Sequence, residues 1–307
     1  MARKLRIQYE GAIYHVINRG NYRWDVFGTV GAAQAFEATL FEASELHGWQ
    51  LHGYVIMRNH FHLAVGTPQA NLVDGMHWLQ STFATRFNRL RREHGHLFQG
   101  RYHALLVEDA SALARVVDYI HLNPVRAGVV PAERMAEFRW SGLRRFLQSG
   151  RPKEMHCIDW LGHHGFDDTI SGMQQYVSYL VDLAKDEVEQ KRLGLDKLSA
   201  GWAIGTHGWR QQVAKDHARL ALNPGLEAKE LRDFKELRWA EILGVELGQV
   251  GKTKEDIKND IGGARWKISI AIKLRESSAP YAWITQALDM GKVGSVRVYI
   301  NQAKGNK

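Results

Sequence analysis

Cysteine is all but missing: the 307 residues contain one, Cys157. A lone thiol excludes an internal disulfide framework and every zinc motif built from several cysteines. Long apolar runs are missing too. No stretch approaches the ~20 consecutive apolar residues of a membrane span, and the opening MARKLRIQYEG carries no apolar signal core. A soluble, cytoplasmic protein without membrane contact is the expectation. Internal repeats and low-complexity tracts are likewise absent. Lysine is almost lacking from the first half: Lys4 is the only one before residue 152, alongside 17 arginines.

What is present begins with charge. There are 41 Lys and Arg against 33 Asp and Glu, a net +8, and the pI is near 9.5. Residues 1–151 carry 18 basic and 12 acidic residues, a net +6, whereas residues 152–307 carry 23 and 21, a net +2. The later segment has 15 Lys and 8 Arg, and ten of the 15 histidines fall in the earlier one. Arginine's planar fork of donors suits phosphate oxygens, so this asymmetry points to a phosphate-rich polyanion. Hydrophobic residues make up 45% and charged residues 24%, a globular composition. The length suits roughly two domains of ordinary size, or one large one.

Ala12–Asn18 reads as a strand closed by Arg19-Gly20-Asn21, and Gly31–His47 carries Ala35, Phe36, Leu40, Phe41 and Leu46 at helical spacing. Gln50–Met57 and His60–Val65 read as a hairpin joined by Arg58-Asn59. Leu72–Arg92 sets Met76, Leu79, Phe83, Phe87 and Leu90 on one helix face, and Tyr102–Glu108 is a further strand. Asp109 or Ser111 caps a helix that should stop before Pro124. The order β-α-β-β-α-β-α predicts an α+β fold, a ferredoxin-like antiparallel sheet with helices on one face. The polar stretch Gln148–Lys153 marks a boundary. A first domain over 1–150, a helical linker over 151–230 and an all-helical domain over 231–307 are expected.

His60-Phe61-His62 is the sharpest local signal. On a strand both imidazoles project from one face while Phe61 enters the other. Two neutral imidazoles that close make half a metal site. Tyr119-Ile120-His121-Leu122-Asn123-Pro124 puts Tyr119 and Asn123 one turn apart on a helix. The proline should push Asn123 to the frayed helix end. Either pattern alone also suits an ordinary core.

Together the two patterns resemble the single-tyrosine HUH transposases, and more closely the REP-associated tyrosine transposase branch. The resemblance runs through Met57-Arg58-Asn59-His60-Phe61-His62-Leu63 and Tyr119-Ile120-x-x-Asn123-Pro124-Val125-Arg126-Ala127-Gly128. Tyr14-His15-Val16, Arg19-Gly20-Asn21 and Gly95–Tyr102 support it, and it covers roughly residues 8–145. It implies a metal-dependent nickase and strand transferase acting on single-stranded DNA with REP-like hairpins. Tyr119 would be the nucleophile, leaving a 5′-phosphotyrosine and a free 3′-hydroxyl. His60 and His62 would hold a divalent cation, Mg²⁺ or Mn²⁺ by the resemblance, with Asn123 as third ligand. Ligand softness alone admits Zn²⁺ as well. His121 is a rival ligand, although two residues along a helix it points about 200° away from Tyr119. The REP-associated branch implies a monomer, other relatives a dimer. Arg58 departs from the proline that members often carry there. A non-catalytic hairpin-DNA-binding regulator derived from such an enzyme is the alternative, and the survival of His60, His62, Tyr119 and Asn123 favours the enzyme.

Several segments are candidates for DNA contact. Arg86, Arg89, Arg91, Arg92 and Arg101 lie close together, interleaved with Phe98, Gln99 and Tyr102, a mixture suited to a single strand. Arg3, Lys4 and Arg6 with Arg19 and Asn21 form a second group, and Arg126 a third. Near the end, Ala279–Leu288 and Ser295–Gln302 read as a helix-turn-helix, with Ser295, Arg297 and Asn301 able to face a groove. Arg265-Trp266-Lys267 would suit a backbone contact upstream of it. A nucleoid-associated location would follow from these contacts.

Overall fold

A computed structural model describes residues 7–216 and 231–305. Arg3, Lys4 and Arg6 therefore lie outside the described residues. The chain divides into two compact units, one ending at Thr206 and one beginning at His207, and each is taken by itself.

The first unit runs β1 (Ala12–Arg19), α1 (Val30–His47), β2 (Gln50–Ile56), β3 (His60–Thr67), α2 (Leu72–Arg91), β4 (His103–Val107) and α3 (Ala110–Arg126), close to the expected bounds. After these come α4 (Gly142–Phe146), α5 (Ile158–His163), α6 (Ile170–Lys185), α7 (Glu187–Arg192) and β5 (Ala203–Ile204). The sheet order is β2-β3-β1-β4-β5, and β1 pairs antiparallel with both β3 and β4. The first four strands thus have the order of a ferredoxin-like sheet, and the α+β class is as expected.

Local chemistry explains the elements. Thr29 caps α1 by accepting from the Ala32 amide, and Gly48 ends it in the left-handed conformation. Asp109, rather than Ser111, caps α3, accepting from Ala112 at 2.8 Å. Phe61 leaves β3 on the side of α1 and α2. There it meets Phe36 at 4.7 Å between ring centres, and Phe36 meets Phe83 at 5.1 Å. All three rings are fully buried, each contributing about 1.5–3 kcal/mol by burial. A Cβ on Gly75 would stand 2.1 Å from Cζ2 of buried Trp49, so α2 can approach only because that position has no side chain.

Four expectations need correcting. The sheet is mixed, because β5 pairs parallel with β4. Helices cover both faces rather than one. Tyr54 on β2 donates to Glu37 of α1 at 2.6 Å, whereas a Cβ on neighbouring Gly53 would lie 3.6 Å from Val117 and His121 of α3. Adjacent strand residues point to opposite faces, so α3 lies across the sheet from α1. Next, α3 continues through Pro124 to Arg126. A proline in the last turn gives up only one helical hydrogen bond, and the Asn123 and Pro124 carbonyls accept from Ala127 and Val129. Finally, the boundary expected near residue 150 falls inside this unit. Helix α5 packs on α3 through Trp160 and His121, 5.9 Å between ring centres, and β5 completes the sheet.

The second unit holds α8 (His207–Asp216), α9 (Leu231–Gln249), α10 (Lys254–Asn259), α11 (Arg265–Glu276), α12 (Tyr281–Ala287) and α13 (Val293–Gly305). Its core gathers Trp239, Leu247, Ile257, Ile270, Leu274, Ile284, Leu288, Val296 and Ile300. Helices α12 and α13 form the expected helical pair, with Gly291 at φ +80° in the turn between them. Among the described residues no helix is long and apolar enough to cross a membrane.

Candidate active site

The site lies on the α3 side of the sheet. His62 pairs in register with Ile17 of β1 and Val55 of β2, and His60 with Arg19. The two-residue period therefore sends both imidazoles toward α3, 5.2 Å apart between ring centres, while Phe61 goes into the opposite core. Tyr119 faces them from α3: its ring centre is 5.4 Å from that of His62 and 5.7 Å from that of His15. One turn on, the Asn123 amide stands on the same helix face, near enough to His60 to favour its protonated form. Two turns on, the Arg126 guanidinium lies 5.0 Å from the centre of the Tyr119 ring. Positions 119, 123 and 126 thus share one helix face.

Burial keeps the histidines neutral. Desolvation pushes His62 well below the ordinary imidazole range, helped by neighbouring His15, His60, Arg19 and Arg126. It also lowers His60, with Arg19 adding to the effect and the nearby Asn123 amide opposing it. A neutral ring is what a cation requires of a ligand. His60 Nδ1 lies 2.8 Å from Asn59 Oδ1; that oxygen can only accept, so Nδ1 is the donor and Nε2 keeps its lone pair. His60, His62 and Asn123 form a set of two imidazoles and an amide that could hold a divalent cation. No group of three or more His, Cys, Asp or Glu side chains among the described residues is placed to do so. The structure brings Asn123, not His121, to the pair: His121 turns away, 3.1 Å from the Tyr176 hydroxyl.

The proposed DNA contacts fare unevenly. Asn21 and Arg101 line one cleft of about 500 Å³ with His77, Gln80, Ser81 and Phe98. Arg19, Arg89 and Arg92 are exposed. Arg86 is not a free cation on that surface: it pairs bidentately with Glu42 of α1 at 2.8 and 2.7 Å. Arg91 pairs with Glu93 at 3.0 Å and lies over Trp24 and Phe87. Tyr102 is buried. Arg58 pairs with Asp25 at 2.7 Å.

In the second unit, Arg265, Arg297 and Asn301 are exposed and Ser295 is half-buried. Arg297 lies 5.2 Å from the Tyr281 ring centre. The basic run before the helical pair does not work as expected. Lys267 is fully buried and donates to the carbonyls of Ile257 and Asp260 at 2.7 and 2.8 Å. Trp266 donates to Asp260 at 2.7 Å. Both hold the unit together, leaving Arg265 as the exposed member.

Sequence reasoning gave no role to two further residues. His15, fully buried, has Nε2 3.0 Å from His62 Nδ1. Its spacing of two from Ile17, the register partner of His62, would have suggested a shared face had the pairing been known. Tyr22 is 92% exposed beside Asn21, with φ +50° and Arg23 following at +60°. Two consecutive side chains in that region are uncommon.

The site thus gathers a neutral histidine pair, a tyrosine and an amide on one helix face, and an arginine over the phenol. Residues 8–123 match the family model described as transposase, IS200-like. This segment belongs to that family, as the motifs led one to expect. Among solved structures, the chain is similar to a REP-associated tyrosine transposase bound to a REP hairpin, at 16% identity and a TM-score of 0.41, over 50% of this chain and 90% of that one. It is also similar to a candidate transposase from Deinococcus radiodurans R1, at 22% identity and a TM-score of 0.29, over 42% and 92%. Scores this low leave the fold to rest on strand order. None of the curated proteins matches the chain.

Proposed function

We propose that this chain is a divalent-cation-dependent enzyme that nicks and rejoins single-stranded DNA carrying REP-like hairpins, working in the cytoplasm on the chromosome. The observation that carries the reading is the approach of Tyr119 to His62, 5.4 Å between ring centres. His60, His62 and Asn123 would hold Mg²⁺ or Mn²⁺, which when bound supplies charge withdrawal from the scissile phosphate. The Tyr119 oxygen attacks phosphorus, the bond to the 3′ oxygen breaks, and the phenol's proton is lost as the 3′-hydroxyl gains one. The 5′-phosphotyrosine conserves the phosphodiester linkage, so a later 3′-hydroxyl can rejoin the strand without a nucleotide cofactor. Arg126 orients the phenol from above its ring. On rejoining it faces the departing phenolate with a fixed positive charge.

One chain supplies all of these groups, which supports a monomer as the working unit. Asn21, Arg101 and the exposed Arg19, Arg89 and Arg92 would track the strand, and the α12–α13 pair would add a duplex contact through Arg297 and Asn301. The test is incubation with a single-stranded hairpin oligonucleotide and Mn²⁺ or Mg²⁺, followed by a denaturing gel. Nicked DNA attached to protein is expected. A Tyr119→Phe variant that still formed the adduct would sink the nucleophile, and His62→Ala should lose cleavage while retaining hairpin binding.

A further inference from the structure

We propose that His15 is a positioning residue for His62, and that the Leu198 carbonyl, 183 residues away in sequence, selects which nitrogen of His62 is offered to the cation. The inference rests on His62 being a ligand. His15 Nδ1 lies 2.9 Å from the Leu198 carbonyl oxygen, and His15 Nε2 lies 3.0 Å from His62 Nδ1. The two rings are near-stacked, 28° between planes.

Donor and acceptor roles follow from one end. A carbonyl oxygen only accepts, so His15 Nδ1 carries a proton. The ring is fully buried and has these two hydrogen-bond partners, neither of them a carboxylate, so it is neutral and its Nε2 holds a lone pair. His62 Nδ1 must then donate, which leaves the lone pair of His62 on Nε2. Outer-shell partners of this kind fix both the tautomer and the ring orientation of a metal-binding histidine.

Leu198 belongs to a turn that presents three carbonyls to the site-bearing elements. Leu193 accepts from Arg115 of α3 at 3.4 Å, and Leu195 accepts from Arg126 at 3.5 Å. The turn is held by β5, paired to β4. It lies well beyond the segment 8–123 that matches the family model. Residues 193–204 are thus an outer wall of the site, not a linker.

The tautomer can be read directly in the full chain, metal-free, from long-range ¹H–¹⁵N couplings of ¹⁵N-labelled histidine. The Nδ1–H form of His62 is expected; the Nε2–H form in the wild type would overturn the inference without any variant. His15→Leu should shift His62 toward Nε2–H and weaken Mn²⁺ binding, followed by electron paramagnetic resonance, by roughly 10–100-fold. His15→Gln, whose amide can accept from His62 and donate to Leu198, should restore the Nδ1–H signal and most of the affinity. If His62→Ala binds Mn²⁺ as tightly as the wild type, the ligand reading falls and this inference falls with it. If His62→Ala loses Mn²⁺ while His15→Leu keeps both the tautomer and the affinity, this inference alone is overturned.

Discussion

Mild acid should unfold the first unit well above the pH at which its paired carboxylates titrate. Four imidazoles are buried in it: His15 on β1, His52 on β2, His62 on β3 and His121 on α3. Burial pushes His15 and His52 down to about 4 and His121 to about 3, from an ordinary value of 6.5. A ring that stays neutral when folded but binds a proton when unfolded stabilises the unfolded chain as pH falls. The loss is absent above pH 6.5, grows between 6.5 and about 4, and levels off below the folded values. One pH unit below 6.5, His15, His52 and His121 contribute about 1.4 kcal/mol each, about 4 kcal/mol together, and His62, also pushed down by burial, adds to it. That is a large share of the 5–15 kcal/mol typical of a domain. Urea unfolding with chelator present, followed by near-ultraviolet circular dichroism at pH 7.5, 6.5 and 5.5, measures it. His121→Phe should remove about a quarter of the pH slope whatever it does to absolute stability. Midpoints that stayed constant from pH 7.5 to 5.5 would refute the reasoning.

Other outcomes test the packing and the DNA surface. Gly75→Ala drives a methyl into Trp49 and should lower stability by about 1–3 kcal/mol, seen as a reduced melting temperature. Tyr22→Ala should leave the melting temperature unchanged and weaken single-strand affinity by about 1–3 kcal/mol if a base stacks on the ring; equal affinity in a fluorescence-anisotropy titration removes Tyr22 from the interface. Arg126→Met should slow single-turnover nicking by about 2- to 30-fold, from a cation–π contact of about 0.5–2 kcal/mol, with hairpin affinity changed much less.

The chemistry was legible wherever it depends on local periodicity. His60 and His62 share a strand face because the period is two, and Tyr119 and Asn123 share a helix face because they are four apart. Long amphipathic helices such as α1 and α2 were legible for the same reason. Nothing local states which face of the sheet α3 will cover: its residues read equally well on either side until Gly53 is seen to admit Val117 and His121. A two-residue strand such as β5 has no period to read. Ion pairs and buried cations are also non-local. Arg86 and Lys267 look like DNA contacts until Glu42 and the carbonyls of Ile257 and Asp260 are found beside them.

The residue before Tyr119 shows why the unit needs its later helices. Asp118 is fully buried and points away from Tyr119, since successive helix positions differ by about 100°. An isolated buried carboxylate would cost several kcal/mol. Here it accepts from Tyr176 at 2.9 Å and Tyr179 at 3.1 Å, both on α6, and lies 3.1 Å from His164 just after α5. His121 bonds in turn to the Tyr176 hydroxyl, whose single proton goes to Asp118. Removing any one donor leaves charge under-compensated in the interior, so these bonds stand or fall together. The network therefore fixes the rotation of α3 about its own axis, and that rotation decides whether Tyr119, Asn123 and Arg126 face the histidines. A helix held only by apolar contacts could slide or roll at little cost. Tied through Asp118 on one face and capped by Asp109 at its start, α3 has one rotation, and it is the one that places the phenol beside His62.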